Sequence, residues 1–270
     1  MNYVGIEPAP AGSDVDLPVE IRTHVSGLRT SRNALDASND IDIAVGQIID
    51  DTHSAFIKLG TPLTKRLDAN WVAGNNNGGL DTAAKAANTM YALWLIRNSA
   101  TGVVDAIFST SYTSPVLSAG FDQKALIGSV RTDASSNILN YIQRGNKFFY
   151  ITYITILGSG QAASQTSVNY LVAVPPVASS MHVFCRVGYS YPNTINAGIY
   201  AYMRVFSGQE FAFIHHLSTG NTGSAYSCMQ VEFPVTGNLY YYRTPSGSVT
   251  NPELSMWVQG FTINRGDLEG

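Results

Sequence analysis

Short apolar segments, cut by Gly, Asn and Ser at near-regular intervals, limit what this chain can fold into more than any other feature. Met90–Ile96, Val103–Phe108, Ala125–Val130, Ile138–Gln143 and Lys147–Leu157 are rich in β-branched and aromatic residues. They read as buried strands. Turn signals stand between them: Ala100-Thr101-Gly102, Ala119-Gly120-Phe121-Asp122, Asp133-Ala134-Ser135-Ser136-Asn137 and Gln143-Arg144-Gly145-Asn146. Such punctuation predicts an antiparallel sandwich. Before these lie Glu20–Val25, Ile41–Val45 and Ala55–Leu59, also read as strands. After them come Tyr170–Val174, Met181–Tyr189, Ile199–Phe206, Glu210–Leu217, Ala225–Phe233, Leu239–Arg243 and Leu254–Ile263. Helix-like composition is confined to Asp81–Ala87, which offers one or two turns with Asp81 as N-cap.

The predicted fold is all-β: two antiparallel β-sandwich-like units preceded by an extended N-terminal arm. Residues 1–19 form the arm, because Glu7-Pro8-Ala9-Pro10-Ala11-Gly12 favours extended, polyproline-like backbone. It is either a disordered tail or a segment that orders on a neighbouring subunit. Residues 20–157 form the first β domain and 168–270 the second. The Gly/Ser/Gln-rich stretch 158–167 is a linker or a long surface loop. In the second domain, Ile199/Ala201/Met203/Val205 share one strand face and Tyr200/Tyr202/Arg204/Phe206 the other. Leu254/Met256/Val258 and Phe261/Ile263 change parity across Gly260, and a β-bulge there restores one apolar face.

One polar loop stands beside the most apolar strand. Asn75-Asn76-Asn77-Gly78-Gly79 supplies positive φ angles cheaply. The segments LDANWVAGNNNGGLD, MYALWLIRNSATGVVDAIFSTSYTSP and ALIGSVRTDASSNILNYIQRGNKF resemble structural proteins of tailed bacteriophages, namely tail-fibre, baseplate or receptor-binding components. The resemblance covers roughly residues 22–150 and returns at VQGFTINRG, similar to that family's closing strand. There the family more often has Trp-Ile-Asp where this chain has Phe261-Thr262-Ile263. The resemblance implies a β-rich, non-enzymatic assembly protein of the virion, made in the bacterial cytoplasm, and it transfers no catalytic residues. A capsid decoration or head-fibre protein is the alternative, and a glycan-cleaving tail enzyme a further one.

Charged residues make up only 13% of the chain, which suits polar and aromatic contact surfaces. The net charge of −3 leaves no basic stripe for nucleic acid. No apolar run reaches the length of a membrane span, and the N-terminus lacks the basic and apolar regions of a secretion signal. Strand alternation aims Cys185 and Cys228 in opposite senses, so two free thiols are expected.

Enzyme signatures such as a GxSxG elbow, a P-loop lysine motif or HExxH are missing, and no catalytic residue, cofactor or metal is assigned. Adjacent His215 and His216 on a strand point to opposite faces, which disfavours one shared cation. Asp40 and Asp42 share a strand face, as a calcium site or, more simply, a solvated edge. Glu210, Glu232 and Asp105 are candidates for glycosidase chemistry by residue type alone. Arg265-Gly266-Asp267 spells an integrin tripeptide but reads as a Gly turn. The suggestive surface is aromatic: Tyr189, Tyr191, Tyr200, Tyr202, Tyr240, Tyr242 and Trp257. Flat rings bind sugars or anchor protein interfaces. The partners expected are a second copy of the chain, other phage tail or capsid proteins, and a host surface glycan or protein.

A symmetric homo-oligomer, a trimer by analogy with phage fibres, is expected because several strands are apolar on both faces. Tyr91/Leu93/Leu95 oppose Ala92/Trp94/Ile96, and Phe148/Tyr150/Ile154 oppose Phe149/Ile151/Tyr153.

Overall fold

The computed structural model describes residues 24–265 apart from 83, 192–196, 205–211, 219–222, 236–237 and 247–249. At 189–191, 197–199, 212–218, 223–225, 245, 246 and 250 the backbone alone is described. The expected arm and residue Glu210 lie outside this set. Among the described residues the fold is all-β, with no helix. Two compact units form: the described residues up to Ala86 with Tyr91–Val130 and Arg265, and Ala87–Met90 with Arg131–Asn264.

The first unit begins with β1 (Val25–Gly27), β2 (Thr30–Arg32), β3 (Asp40–Ile43), β4 (Gly46–Ile49) and β5 (Phe56–Leu59). It continues with β6 (Leu63–Asn70), β7 (Asn77–Leu80), β8 (Met90–Arg97), β9 (Val104–Ser109) and β10 (Gln123–Arg131). A seven-stranded sheet runs β10-β8-β9-β7-β6-β3-β2, and a three-stranded sheet runs β1-β4-β5. The expectation of a wholly antiparallel unit fails at one place, since β7 pairs in parallel with β6 and with β9.

The polar loop explains that parallel pairing. After β6 the chain turns through Gly74 (φ 99°) and Asn76 (φ 59°), and β7 then starts beside Lys65. A return loop over a sheet leaves backbone groups to satisfy. Lys65 Nζ donates to the carbonyls of Val72 (2.8 Å) and Gly74 (3.2 Å). Asp105 on β9 accepts the Gly74 N–H at 2.8 Å and pairs with Lys65 Nζ at 3.2 Å. Lys65 is fully buried and Asp105 nearly so. The loop around which the resemblance centres is thus pinned by a buried ion pair.

β8 is buried along nearly its whole length: Tyr91 is 2% exposed and Ala92 to Ile96 are 0%. Both of its faces are covered within the chain, so this strand gives no reason for association. Trp94 donates its indole N–H to the Ser111 carbonyl (3.1 Å), and Lys124 lies 5.7 Å from its ring. Lys124 also pairs with Asp51.

The second unit holds β11 (Tyr141–Arg144), β12 (Lys147–Gly160), β13 (Thr166–Val168), β14 (Ala178–Tyr191) and β15 (Ala197–Arg204). It is completed by β16 (Ala212–Ser218), β17 (Gly223–Pro234), β18 (Leu239–Ser246) and β19 (Thr250–Ile263). A five-stranded sheet, β11-β12-β19-β14-β17, packs on a four-stranded sheet, β13-β18-β15-β16. Met181, Val183, Cys185 and Val187 of β14 alternate into the core with Leu254, Met256 and Val258 of β19. Phe261 and Ile263 rejoin that core through a register shift between His182/Gly260 and Val183/Val258, the bulge the parity change predicts. Gly260 is required there, because a Cβ would lie 2.1 Å from the Phe148 carbonyl oxygen.

Two local expectations are corrected. The described residues of Asp81–Ala87 are not helical: the Asp81 carboxylate accepts the Val116 N–H (3.0 Å) and its own N–H goes to Phe108 O. Tyr170–Val174 is a turn, closed by Ala173 N–H to Tyr170 O at 2.9 Å, with Pro175-Pro176 following. The 158–167 stretch lies within the second unit, because β12 runs through Gly160 and pairs with Leu254 of β19.

Candidate functional site

The outer faces of the second unit's sandwich carry Tyr200, Tyr202, Tyr240, Tyr242 and Trp257 of the aromatic residues singled out by sequence, and the fold divides these between two opposite sheets. On the four-stranded sheet, Ala201 and Met203 point inward. Period-two alternation therefore turns Tyr200, Tyr202 and Arg204 outward. Tyr202 sits directly opposite Tyr242 of β18, and their rings stack at 4.5 Å with planes 9° apart. Tyr200 extends the stack at 6.5 Å from Tyr202. Arg204 lies 4.6 Å from the Tyr242 ring and donates to its hydroxyl (2.9 Å) and to Gln165 Oε1 (3.1 Å). Tyr240 pairs with Arg204 in register on this same face.

Trp257 belongs to the other sheet. It stands in a row across the five-stranded sheet, with Thr155 on β12 on one side and Phe184 on β14 on the other. Gln230 of β17 follows Phe184. Phe184 and Trp257 approach to 5.7 Å, and the Arg186 guanidinium lies between Trp257 (5.5 Å) and Tyr226 (5.1 Å). The next row is Phe149, Gly260, His182 and Glu232. Gly260 has no side chain to separate its neighbours, so Phe149 stacks on His182 at 5.3 Å. Tyr189 and Tyr191 lie in β14 opposite Ala225 and Gly223, and their side chains fall outside the described set. The same holds for His215 and His216 of β16.

Two depressions open on the five-stranded face. One, about 540 Å³, is lined by Tyr153, Thr155, Phe184, Arg186, Cys228 and Trp257. The other, about 430 Å³, is lined in part by Phe149, Tyr153, His182, Gln230, Glu232 and Gln259. Tyr153 borders both, so the two adjoin, and together they make up the grooved face of this sheet. Sequence reasoning singled out Trp257 of this set as a binding residue and Glu232 by residue type alone. Period-two reading of Met181–Tyr189 does place His182, Phe184 and Arg186 on one face, but mixed polarity hides it as a site.

Charge in the groove is paired within the chain. Glu232 lies 3.6 Å from both Lys147 Nζ and His182 Nδ1, and it accepts the Ser180 hydroxyl at 2.5 Å. The Ser180 hydrogen bond chiefly holds the Glu232 carboxyl below its usual range. Burial holds the His182 imidazole below its own, against the pull of Glu232. Arg186 meets Glu253 at 3.4 Å. Gln230 donates to Gln259 at 3.1 Å, and a polar rim of amides results.

The remaining candidates have other uses. Asp105 is committed to Lys65. Asp42 accepts from Asn33 (2.8 Å) and Thr64 (2.7 Å), and burial raises the Asp40 carboxyl. Among the described residues no group of His, Cys, Asp and Glu is arranged to hold a metal ion. Arg265 is 6% exposed and donates to the Leu28 carbonyl (3.1 Å), whereas an exposed recognition tripeptide needs it in solvent. Gly266 and Asp267 lie outside the described residues.

Both cysteines are free. Cys185 lies 3.3 Å from Met203 Sδ in the core, and burial pushes its thiol up to about 12. Cys228 is exposed on the groove face. A thiol reagent at pH 8 is therefore expected to label Cys228 in native protein, and Cys185 only after unfolding. Two labels at the native rate would contradict the orientations of β14 and β17.

No protein-family model matches the sequence, and comparison with curated proteins finds no match. Among solved structures, a chain from "Structure of infectious bursal disease virus Gx strain" is 14% identical over 87% of this chain and 71% of that one, with a TM-score of 0.25. A chain of the infectious bursal disease virus VP2 subviral particle is 11% identical over 95% and 75%, also with a TM-score of 0.25. Both neighbours are viral, but likeness at this level carries no argument about function, and neither is a tailed-phage tail protein.

Proposed function

We propose that this chain is a structural virion protein of a tailed bacteriophage, built into the tail, the baseplate or a tail fibre, with its second unit facing partners or the host. The observation that carries this reading is the sandwich of that unit: a filled core with aromatic, polar side chains on both outer faces. Such faces suit recognition, since aromatic residues bring large contact area with little entropy to lose. The resemblance of residues 22–150 and of the closing strand to tailed-phage structural proteins supports the tail location. The proposal assigns no catalysis and no cofactor. Mass spectrometry of purified particles, split into head and tail fractions, tests it. The chain is expected in the tail fraction. Recovery with heads would replace the tail role by capsid decoration, and absence from particles would end the reading.

The proposal includes a homotrimer. With β8 covered internally, the case for association moves to β11 and β12, where Ile142 is 45% exposed and Ile151 52%. Light scattering of the purified chain at micromolar concentration is expected to give three times the chain mass. A persistent monomer would remove the trimer.

A further inference from the structure

We infer that the groove on the five-stranded sheet is a binding site for a neutral glycan. The inference deepens the proposed role and rests on it for the biological source of the sugar.

The lining combines what a sugar ring needs and little that other ligands need. A pyranose presents an apolar C–H face, and that face lies well on the electron-rich face of an aromatic ring. Trp257, Phe184 and Tyr153 provide such surface along the groove. Its ring edge carries hydroxyls that both donate and accept. The amides of Gln230 and Gln259 do the same, and they already meet at the rim, 3.1 Å apart. The rings line one depression and the amides the adjoining one, with Gln230 in register beside Phe184, so apolar surface and a few polar anchors meet as in a small-ligand site.

Charge selects the class of glycan. Each ionised group at the groove already has an opposite partner: Glu232 with Lys147, and Arg186 with Glu253. A sulfated or sialylated chain would have to displace one of these carboxylates from its cation. A neutral sugar displaces none. The opposite sheet differs in this respect, because its tyrosines already stack on one another and on Arg204. Tyr202 and Tyr242 close on each other at 4.5 Å, whereas Phe184 and Trp257, though Arg186 lies 5.5 Å from the indole, stand 5.7 Å apart and tilted by 40° beside a depression of about 540 Å³.

The full-length protein decides the matter by titration against neutral hexasaccharides of glucose, galactose and N-acetylglucosamine, followed by saturation-transfer NMR and calorimetry. At least one probe is expected to bind. Trp257→Ala and Gln230→Ala should each weaken it by about tenfold or more. Tyr202→Ala, on the other sheet, should leave it unchanged. Gln230 is exposed, so its truncation keeps the test decisive even where Trp257→Ala disturbs folding. Binding of no probe overturns the inference, and so does equal loss in Tyr202→Ala. A Trp257→Ala variant that turns an oligomer into a monomer while the wild type binds no sugar also overturns it, and gives the groove to a second copy. Particle fractionation decides the tail role separately: a tail protein that binds none of the probes leaves that role standing and ends this one.

Discussion

Asp105→Ala is expected to destabilise the first unit by about 3–5 kcal/mol, the cost of leaving a buried charge without its partner. Lys65 has 0% exposure, and its other contacts are the Val72 and Gly74 carbonyls and the Trp71 ring 5.6 Å away. None of these neutralises an ammonium. The variant also strips the acceptor from the Gly74 N–H, so the loop loses hold at two points. Urea unfolding followed by tryptophan fluorescence should show a lower midpoint.

The pH dependence has a definite sign. Burial already lowers the Lys65 amine below its usual value despite Asp105, and losing Asp105 lowers it further. The unfolded chain then binds more protons than the folded one between the depressed value and the ordinary value of 10.5. Stability therefore rises with pH through that window. The deficit of Asp105→Ala should shrink as pH climbs towards 10.5. A deficit that stays constant from pH 7 to 10 would show that Lys65 is not the uncompensated group. Replacing Lys65 by Met in the same variant should recover part of the loss, because no buried charge remains.

Gly260→Ala should cost the second unit about 3 kcal/mol, at the upper end for an overpacked core. The added methyl would sit 2.1 Å from Phe148 O and 3.0 Å from Phe149 Cα, both backbone atoms of β12. Relief requires β12 and β19 to separate, and their pairing joins β11 and β12 to the rest of the sheet. The change also wedges Phe149 from His182. Gly60→Ala is the control, since a Cβ there meets nothing within 4 Å. It should alter stability by no more than about 0.5 kcal/mol. Equal thermal shifts for the two variants would refute the structural role given to the bulge.

Much of the second unit was legible in the sequence because its strands obey one rule. Most described inward residues of β14, β15 and β19 are apolar at period two, and the parity change at Gly260 announces its own bulge. The first unit was harder, for the opposite reason. β6 places Lys65 between Leu63 and Leu67 on its buried side, so a core strand reads as a charged surface segment. Nothing local reveals that Asp105, far along the chain, makes that lysine tolerable. Asp81–Ala87 failed through tertiary override: its alanines favour helix, but Asp81 and the backbone beside it pair with Phe108 and Val116 instead. The aromatic site was half legible. Alternation sorted tyrosines within each strand, but sequence does not say which sheet a strand joins. Trp257 was therefore pooled with tyrosines that lie on the opposite face. Gln230, a polar member of the groove, is unremarkable until pairing brings it beside Phe184 and Trp257, and Glu232, singled out by residue type alone, gains its setting only when pairing puts it beside His182.

The central claim is that this chain is a tail component that turns the five-stranded face of its second unit outward. A cryo-EM map of the parent particle tests that most directly. The account predicts density for this fold in the tail, baseplate or fibre, with Trp257, Tyr153 and Gln230 facing solvent. Density for the chain on the head, or a neighbouring protein packed over Trp257 in every copy, would contradict it.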